Sequence, residues 1–144
     1  MTEIACFDQA QAGAILNAVL RQSSTASTTG IKLRLGTSAP TATGNMTELS
    51  SSGYTTGGTV MTFNAASAAA TSNSSSASWT NGGTTWSLVG LELWDEAGSP
   101  VRWMFGSWTG QPISIANGNV FQVSSAGVAI SLQLSGTWVS VCYA

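Results

Sequence analysis

The chain has 144 residues, a length that suits one domain built around one hydrophobic core. Ser and Thr number 40, whereas Lys and Arg number 4 and Asp and Glu 6, so the net charge is −2. The four basic residues form no run, and this excludes binding to nucleic acid and electrostatic docking on an anionic membrane. The chain has no His, the commonest general base and metal ligand, which argues against hydrolase chemistry and against a cofactor.

The aromatic residues indicate a folded chain rather than a flexible polar tract. Six Trp, four Phe and two Tyr fall mostly inside alternating segments, and each ring buries a large area in a core. Cys6 and Cys142 are too few for a zinc site, and free thiols in a reducing cytosol are favoured over a bridge between the chain ends. No secretory signal and no apolar run of membrane-spanning length is visible, so we expect assembly without membrane crossing.

One helix is predicted over residues 8–21. Asp8 is a capping residue, Gln11 stands at the position of a capping-box partner, and apolar residues follow at helical spacing. Its apolar stripe has two interpretations, a lid on the domain's own core or a surface for a partner, and the first is favoured. The polar segment 22–30 then reads as a linker.

After residue 30 the apolar period changes to two, which predicts strands. The first, 31–35, places three aliphatic residues on one face and the cations Lys32 and Arg34 on the other, and 59–63 is the second. The stretch 64–78 is either a long loop or a set of small-residue strands. Segments 86–94 and 101–108 flank a turn and predict an antiparallel hairpin.

Two further hairpins are predicted towards the end of the chain. One joins 113–115 to 120–123 through Asn117-Gly118, and the other joins 128–134 to 138–143 through a two-residue loop. Short strands without helices between them favour a mainly β fold, a single antiparallel β-sandwich or jelly roll with one N-terminal helix. We divide the chain into a helix and linker, 1–30, and a β-sandwich domain, 31–144.

Glu92, Asp95 and Glu96 are the one acidic cluster that suggests chemistry. Paired carboxylates near a Trp would suit glycoside hydrolysis, but Glu92 occupies an outward strand position and the other two a turn, so solvated side chains are expected. The serines lack a general base. We therefore predict that the protein is not an enzyme and has no catalytic residue.

The tryptophans raise a carbohydrate-binding module as a rival, because exposed indole rings stack on sugars. Five lie in or beside the predicted strands: Trp86, Trp94, Trp103, Trp108 and Trp138. Trp103 alternates in step with Val101 and Phe105, which favours a place in the core for that ring.

The order of several segments resembles a family of small virion structural proteins of tailed bacteriophages, often labelled tail fibre-like or capsid decoration proteins. A helix ending AILNAVLRQ precedes IKLRLGTSAP, and LVGLELWDEAGSPVRWMFGSW and ISIANGNVFQVSSAGVAISL follow. The matching positions are Glu48, Gly53, Tyr54, Thr62, Phe63, Ala65, Ala66, Ser67, Trp94, Asp95, Ala97 and Gly98. The resemblance covers about residues 8 to 134.

The resemblance implies a non-enzymatic virion protein that is assembled in the bacterial host cytoplasm. Capsid decoration on the outside of the head is the leading expectation, a tail, neck or tail-fibre component is next, and the carbohydrate-binding module is third. The expected partners are other copies of the chain and other virion proteins, either the major capsid protein or tail proteins. We expect the contacts with neighbouring copies to involve the two chain ends, through Phe7, Ile15, Leu16, Val19, Leu20, Trp138 and Tyr143.

Overall fold

Short antiparallel strands are the main regular secondary structure of the chain. The computed structural model describes residues 4–21, 30–68, 70–131, 134–135 and 138–139. The helix is α1 (Gln9–Arg21), and the strands are β1 (Ile4–Phe7), β2 (Ile31–Gly36), β3 (Thr59–Met61), β4 (Ala70–Ser72), β5 (Ala77–Thr80), β6 (Trp86–Leu88), β7 (Gly90–Asp95), β8 (Arg102–Ser107), β9 (Ile113–Ile115), β10 (Val120–Val123), β11 (Ala129–Ser131), β12 (Leu134–Ser135) and β13 (Trp138–Val139). The predicted mainly β, sandwich-like class with one leading helix is confirmed.

One layer is a five-stranded antiparallel sheet in the order β1-β8-β7-β2-β3. The alternation in β2 has the predicted effect, because Leu33 and Leu35 are fully buried on the inner face while Lys32 and Arg34 lie on the outer face. The strand β1 lies at an edge of this sheet, paired with β8, and no pattern in the sequence predicts it. Its four residues are too few to show a period.

Paired strands form the opposing layer: β5 with β10, β6 with β9, and β4 with β11. The core between the layers consists of aliphatic and aromatic side chains from both. Its buried members are Leu33, Leu35, Leu49, Tyr54, Met61, Ala77, Trp79, Trp86, Leu88, Leu91, Leu93, Met104, Trp108, Phe121, Val123 and Val128. Burial of this apolar surface is the main term that favours the fold.

The hairpin predicted from segments 86–94 and 101–108 is confirmed in its second half, where β7 pairs with β8. The prediction of one continuous strand from Trp86 to Trp94 is wrong. The chain passes between layers at Val89, whose N–H donates to the Gly36 carbonyl (2.8 Å) and whose carbonyl accepts from the Trp108 N–H (3.0 Å). These two bonds satisfy the Val89 backbone at the crossing, so the interruption leaves no buried polar group unpaired there.

The hairpin predicted around Asn117-Gly118 is wrong, although the turn itself exists. The Asn119 N–H donates to the Ala116 carbonyl (3.0 Å), and Gly118 has φ +81° while Asn117 is not left-handed. This is a type II turn, whose twist does not match a two-residue hairpin. The flanking strands therefore separate: β9 pairs with β6 and β10 with β5.

The segment whose structure the sequence left open, 64–78, contains small-residue strands. It holds β4 and the start of β5, and β4 pairs with β11. The last predicted hairpin is confirmed only beside its turn, where β12 pairs with β13 in the register Leu134↔Val139. The prediction that 128–134 forms one strand of this hairpin is wrong, because β11 pairs with β4. The residues between and after these two strands lie outside the described part of the chain.

The predicted helix and its cap are confirmed to within one residue. The Asp8 carboxylate accepts the Ala10 N–H (2.9 Å), as an N-cap side chain does. The predicted capping-box role of Gln11 is wrong, because the Asp8 N–H donates to the Trp103 carbonyl (2.9 Å) instead. The helix start is thus fixed to the sheet through β8.

Candidate functional site

The acidic cluster singled out in the sequence is buried, contrary to the expectation of solvated side chains. Glu92 is only 2% exposed and Asp95 5%, and only Glu96 is exposed. Glu92 does lie on the outer face of the sheet, but the chain between β2 and β3 covers that face. The Met46 N–H from this covering segment donates to Glu92 Oε1 (2.8 Å).

A β-bulge explains how a buried carboxylate acquires its partner. The pairing of β7 with β8 shifts between Leu93 and Trp94, so Trp103 is an extra residue and Arg102 lies opposite Trp94. The bulge brings Arg102 to the side of the sheet on which Glu92 lies, and Arg102 Nη1 donates to Glu92 Oε1 at 2.8 Å. A strict alternation through this segment, as the sequence suggested, would have placed Arg102 on the opposite face.

Arg102 is the centre of a buried polar network. Its Nε and Nη2 donate to Asp8 Oδ2 at 3.0 and 2.7 Å, and its guanidinium lies 4.9 Å from the ring centre of Phe105. The remaining N–H groups donate to backbone carbonyls of the covering segment: Thr41 (2.8 Å), Ala42 (3.3 Å) and Gly44 (2.7 Å). One buried cation thus fastens the start of α1 and the covering segment to the sheet.

The other acids of the cluster also have structural partners. Asp95 Oδ1 accepts the N–H groups of Val101 (2.9 Å) and Ala97 (3.3 Å), and its Oδ2 accepts Trp103 Nε1 (3.3 Å), which closes the β7–β8 turn. Glu96 forms an ion pair with Lys32 at 3.3 Å. The Glu92 Oε2 atom accepts Trp94 Nε1 (2.9 Å). The cluster therefore holds the sheet together, and no carboxylate of it faces an open cleft as a general acid or base would.

A second polar cluster contains three of the residues that carry the family resemblance, Glu48, Tyr54 and Trp94. The Tyr54 hydroxyl donates to Glu48 Oε1 (2.7 Å) and accepts the Leu35 N–H (3.2 Å), and Glu48 also accepts the Gly57 N–H (2.7 Å). Arg34 lies 3.6 Å from Glu48 and covers the Trp94 ring at 4.2 Å. Burial, opposed by the Leu35 hydrogen bond and reinforced by Glu48, raises the pKa of Tyr54 well above its ordinary value.

Gly53 shows why a small residue is needed beside Tyr54. Its φ is +90°, and a Cβ at this position would lie 1.8 Å from the Thr80 carbonyl oxygen. Both the left-handed conformation and the close backbone approach require glycine. Gly53 thus allows the segment that carries Tyr54 to pack directly against the backbone at Thr80.

The five tryptophans whose side chains the structure describes serve mainly in packing. Trp86, Trp108 and Trp79 are buried, with Trp79 and Trp108 in contact with the Phe121 ring. Trp103, predicted as a core residue, packs against the core in a half-buried position. Together with the Arg34 guanidinium over Trp94, these contacts give the described rings little free face for stacking on a sugar.

The residues predicted for subunit contacts differ in how exposed their side chains are. On α1, Leu16 is 51% and Leu20 74% exposed, Ile15 is half-buried, and Ala12 is the residue of the helix that is buried against the body. Phe7 is half-buried in β1. The side chains of Val19 and Trp138, and all of Tyr143, lie outside what the structure describes.

An open apolar crevice of about 250 Å³ lies at one end of the sandwich. Its lining contains no charged side chain and consists of Phe7, Ile31, Phe63, Thr71, Leu93, Trp103, Met104 and Ile130. Among the described residues, no three His, Cys, Asp or Glu side chains are grouped to hold a metal ion. No helix in the described ranges has the length and apolar character that crossing a membrane requires.

Comparison with known families gives a match that covers most of the chain. Residues 7–131 match a family model described as podophage GP4 fiber I protein gp80. The chain belongs to this gp80 fiber family. No curated protein matches the chain significantly. The suspected kinship with small virion structural proteins of tailed phages is thereby confirmed, and the matched span agrees with the 8 to 134 expected from the sequence.

No motif in the sequence predicts that Arg102 and Asp8 meet in a buried polar network. In the sequence Arg102 is one of four basic residues that form no run, and Asp8 is predicted only as a helix cap. One signal in the sequence points to Arg102, since this charged residue directly precedes the apolar run Trp103-Met104-Phe105. Its partners come from distant positions of the chain, so no local pattern could have named them.

We predict that Glu92→Gln destabilises this gp80-family protein by about 3 kcal/mol or more. The substitution leaves the buried Arg102 guanidinium without one of its two carboxylates, and breaking a buried pair costs about 3 to 5 kcal/mol. Urea unfolding followed by tryptophan fluorescence measures the change. Glu96→Gln is the matched control, because its ion pair with Lys32 is about one-third exposed and contributes at most about 1 kcal/mol. Equal effects of the two substitutions would contradict the central role of Arg102.

A second prediction concerns alkaline pH. In the unfolded chain Tyr54 ionises near its ordinary pKa of 10.0, whereas in the fold its pKa is raised. The unfolded state therefore releases a proton first, so this residue's contribution to stability is complete below pH 10 and falls as the pH rises further, by about 1.4 kcal/mol per unit. Tyr54→Phe should remove this contribution to the alkaline slope, as measured by urea unfolding between about pH 8 and 11.

The matched variant for the alkaline test is Glu48→Gln. It retains Tyr54 in its buried position, and burial is the largest cause of the raised pKa, so most of the alkaline slope should persist. If the free energy of unfolding fell equally steeply with pH in the unmodified protein and in Tyr54→Phe, Tyr54 would not be the cause of the alkaline loss of stability.

Proposed function

We propose that this chain is a non-enzymatic subunit of a virion fibre or other external appendage of a tailed phage, associated with further copies and with other virion proteins. The observation that carries the proposal is the match of residues 7–131 to the family of podophage GP4 fiber I protein gp80. The name of that family refers to a fibre. Capsid decoration on the outside of the head uses the same kind of surface and is the second candidate.

The surface chemistry supports an external structural role. Exposed loops and strand positions carry mainly Ser, Thr, Asn and Gly, and the described acids are engaged within the fold by cations, N–H groups or the Tyr54 hydroxyl. A surface with so little charge has weak long-range attraction for nucleic acid, lipid or the host surface. The same engagement of carboxylates supports the absence of enzymatic activity in our proposal.

The helix α1 supports association between copies. It has 13 residues, fewer than an isolated helix needs for stability, yet Leu16 and Leu20 point away from the body and are mostly exposed. Exposed leucines one helical turn apart are typical of a face that a partner covers. We propose this face as the principal contact within the predicted set of Phe7, Ile15, Leu16, Val19, Leu20, Trp138 and Tyr143.

The double substitution Leu16→Ser with Leu20→Ser should reduce self-association without loss of the fold. Both side chains are largely exposed, so the free energy of unfolding of the monomer should change little, whereas the assembly loses the apolar contact. Light scattering measures the assembly state, and circular dichroism checks the fold. Val120→Ser is the matched control, because Val120 is 57% exposed on the sandwich and lies outside α1. An unchanged assembly state in the double variant would exclude the helix as the contact.

The location in the particle is tested by labelling the loop between β7 and β8. Gly98 is exposed in that loop and a Cβ there would meet no neighbouring atom, so a short peptide tag inserted beside it should leave the sandwich intact. Antibody-labelled virions are then imaged by electron microscopy. Label confined to projecting appendages is expected, label spread over the head would support decoration instead, and purified virions without the tagged chain would overturn both assignments.

A further inference from the structure

Two Asn-Gly dipeptides lie against each other at one end of the β5–β10 pair. The Asn81 N–H donates to the Asn119 carbonyl (2.9 Å), and the Gly118 N–H donates to the Asn81 carbonyl (2.7 Å). These two bonds follow directly after the last pair of the ladder, Thr80↔Val120. We call this arrangement, formed by residues 81–83 and 115–119, the Asn-Gly clamp.

Asn-Gly is the dipeptide most prone to spontaneous deamidation. The backbone nitrogen of the glycine loses its proton and attacks Cγ of the asparagine side chain, so a C–N bond forms and ammonia leaves. Water then opens the resulting succinimide to aspartate or isoaspartate. Glycine favours the reaction because it has no Cβ to obstruct ring closure. The reaction needs a glycine nitrogen that is free of hydrogen bonds and a backbone able to rotate.

The clamp denies both conditions at Asn117. The Gly118 nitrogen is engaged with the Asn81 carbonyl at 2.7 Å, a short bond for a backbone pair. The type II turn from Ala116 to Asn119 fixes the peptide between Asn117 and Gly118, with Gly118 at φ +81°. The side chain of Asn117 is nevertheless exposed to water. The clamp therefore prevents the reaction by holding the Gly118 nitrogen and not by excluding water.

Asn81 is the more strongly protected member of the pair. It is fully buried, and its Nδ2 donates to the carbonyls of Ile115 (2.7 Å) and Thr84 (2.9 Å) while its Oδ1 accepts the Gly83 N–H (2.9 Å). The N–H of Gly82, the nucleophile at this site, donates to the Ser52 carbonyl (3.0 Å). Hydrogen bonds therefore hold the Gly82 nitrogen away from the Asn81 carboxamide that it would attack.

We propose that Asn117 is a modification site that the native fold keeps closed, and that it deamidates only when the Asn-Gly clamp opens. Modification adds a negative charge at the turn, and its isoaspartate product adds a methylene to the main chain, so the turn can no longer close on Asn81. The change would therefore make the opening permanent. A protein that persists in an extracellular particle for long periods benefits from such protection, because loss of the clamp would be cumulative.

The test compares two rates in the unmodified full-length chain. Peptide mapping by mass spectrometry measures deamidation at residue 117 at mildly alkaline pH, in the folded protein and in the same chain unfolded in urea. Hydrogen exchange measures the protection of the Gly118 N–H in the folded protein. We expect deamidation to be slower in the fold by about tenfold or more, and slower by the same factor as hydrogen exchange, because both reactions need the same opening.

Two results would overturn the proposal. One is equal deamidation rates in the folded and unfolded chain, and the other is deamidation in the fold that is far faster than the opening reported by Gly118 exchange. Asn81 serves as the internal reference, since it should deamidate more slowly than Asn117 in the fold but at a comparable rate in urea. Asn117→Gln confirms the assignment of the modified peptide, because glutamine closes the larger ring much more slowly.

Asn81→Ala tests the role of the clamp directly. It removes the three side-chain bonds that fix 83–84 and 115, so the clamp should open more often and deamidation at Asn117 should accelerate severalfold. Asn64→Ala is the matched control, since Asn64 is exposed and bonded only to Ser72 through its side-chain nitrogen. An unprotected Gly118 N–H with unaccelerated deamidation in Asn81→Ala would refute the proposal. Should that variant not fold, the comparison of rates in the unmodified chain decides alone.

Discussion

The buried guanidinium of Arg102 is the constraint around which the outer side of the main sheet is organised. An unpaired cation inside a protein carries a large desolvation penalty. The Arg102 guanidinium is therefore stable in this position only because carboxylates and carbonyls accept its hydrogen bonds. Asp8 brings the start of α1, Glu92 brings β7, and the carbonyls near Thr41 and Gly44 bring the covering segment. The bulge at Trp103 is what allows these groups to meet.

The few ionisable groups of the chain serve mainly to hold the fold together. Glu92 forms a buried ion pair with Arg102, and Glu96 forms a partly exposed ion pair with Lys32. The exterior that remains is hydroxyl-rich and weakly charged. The chain's membership of the gp80 fiber family agrees with such a weakly charged exterior.

Two kinds of side chain hold the sandwich together, apolar residues and buried amides. Apolar residues fill the space between the layers, while buried amides such as Asn73 and Asn81 satisfy backbone groups where strands end. Asn73 bonds the carbonyls of Ser75 and Ser124 and the Val128 N–H, which ties the β4 end to the β10–β11 connection. The leucines of α1 belong to neither set, and Leu16 and Leu20 lie as an exposed apolar face outside the core.

The sequence by itself determined the class of the fold, the helix and its Asp8 cap, the inward face of β2, and the kinship with virion structural proteins. These depend on local period, capping chemistry and the order of short motifs, all of which are written in neighbouring residues. Only the tertiary structure decided that Glu92 is buried, that the strand through Val89 changes layers, and that Asn117-Gly118 does not close a hairpin. Each of these is set by a partner far along the chain, because desolvation and strand pairing depend on which distant groups come into contact.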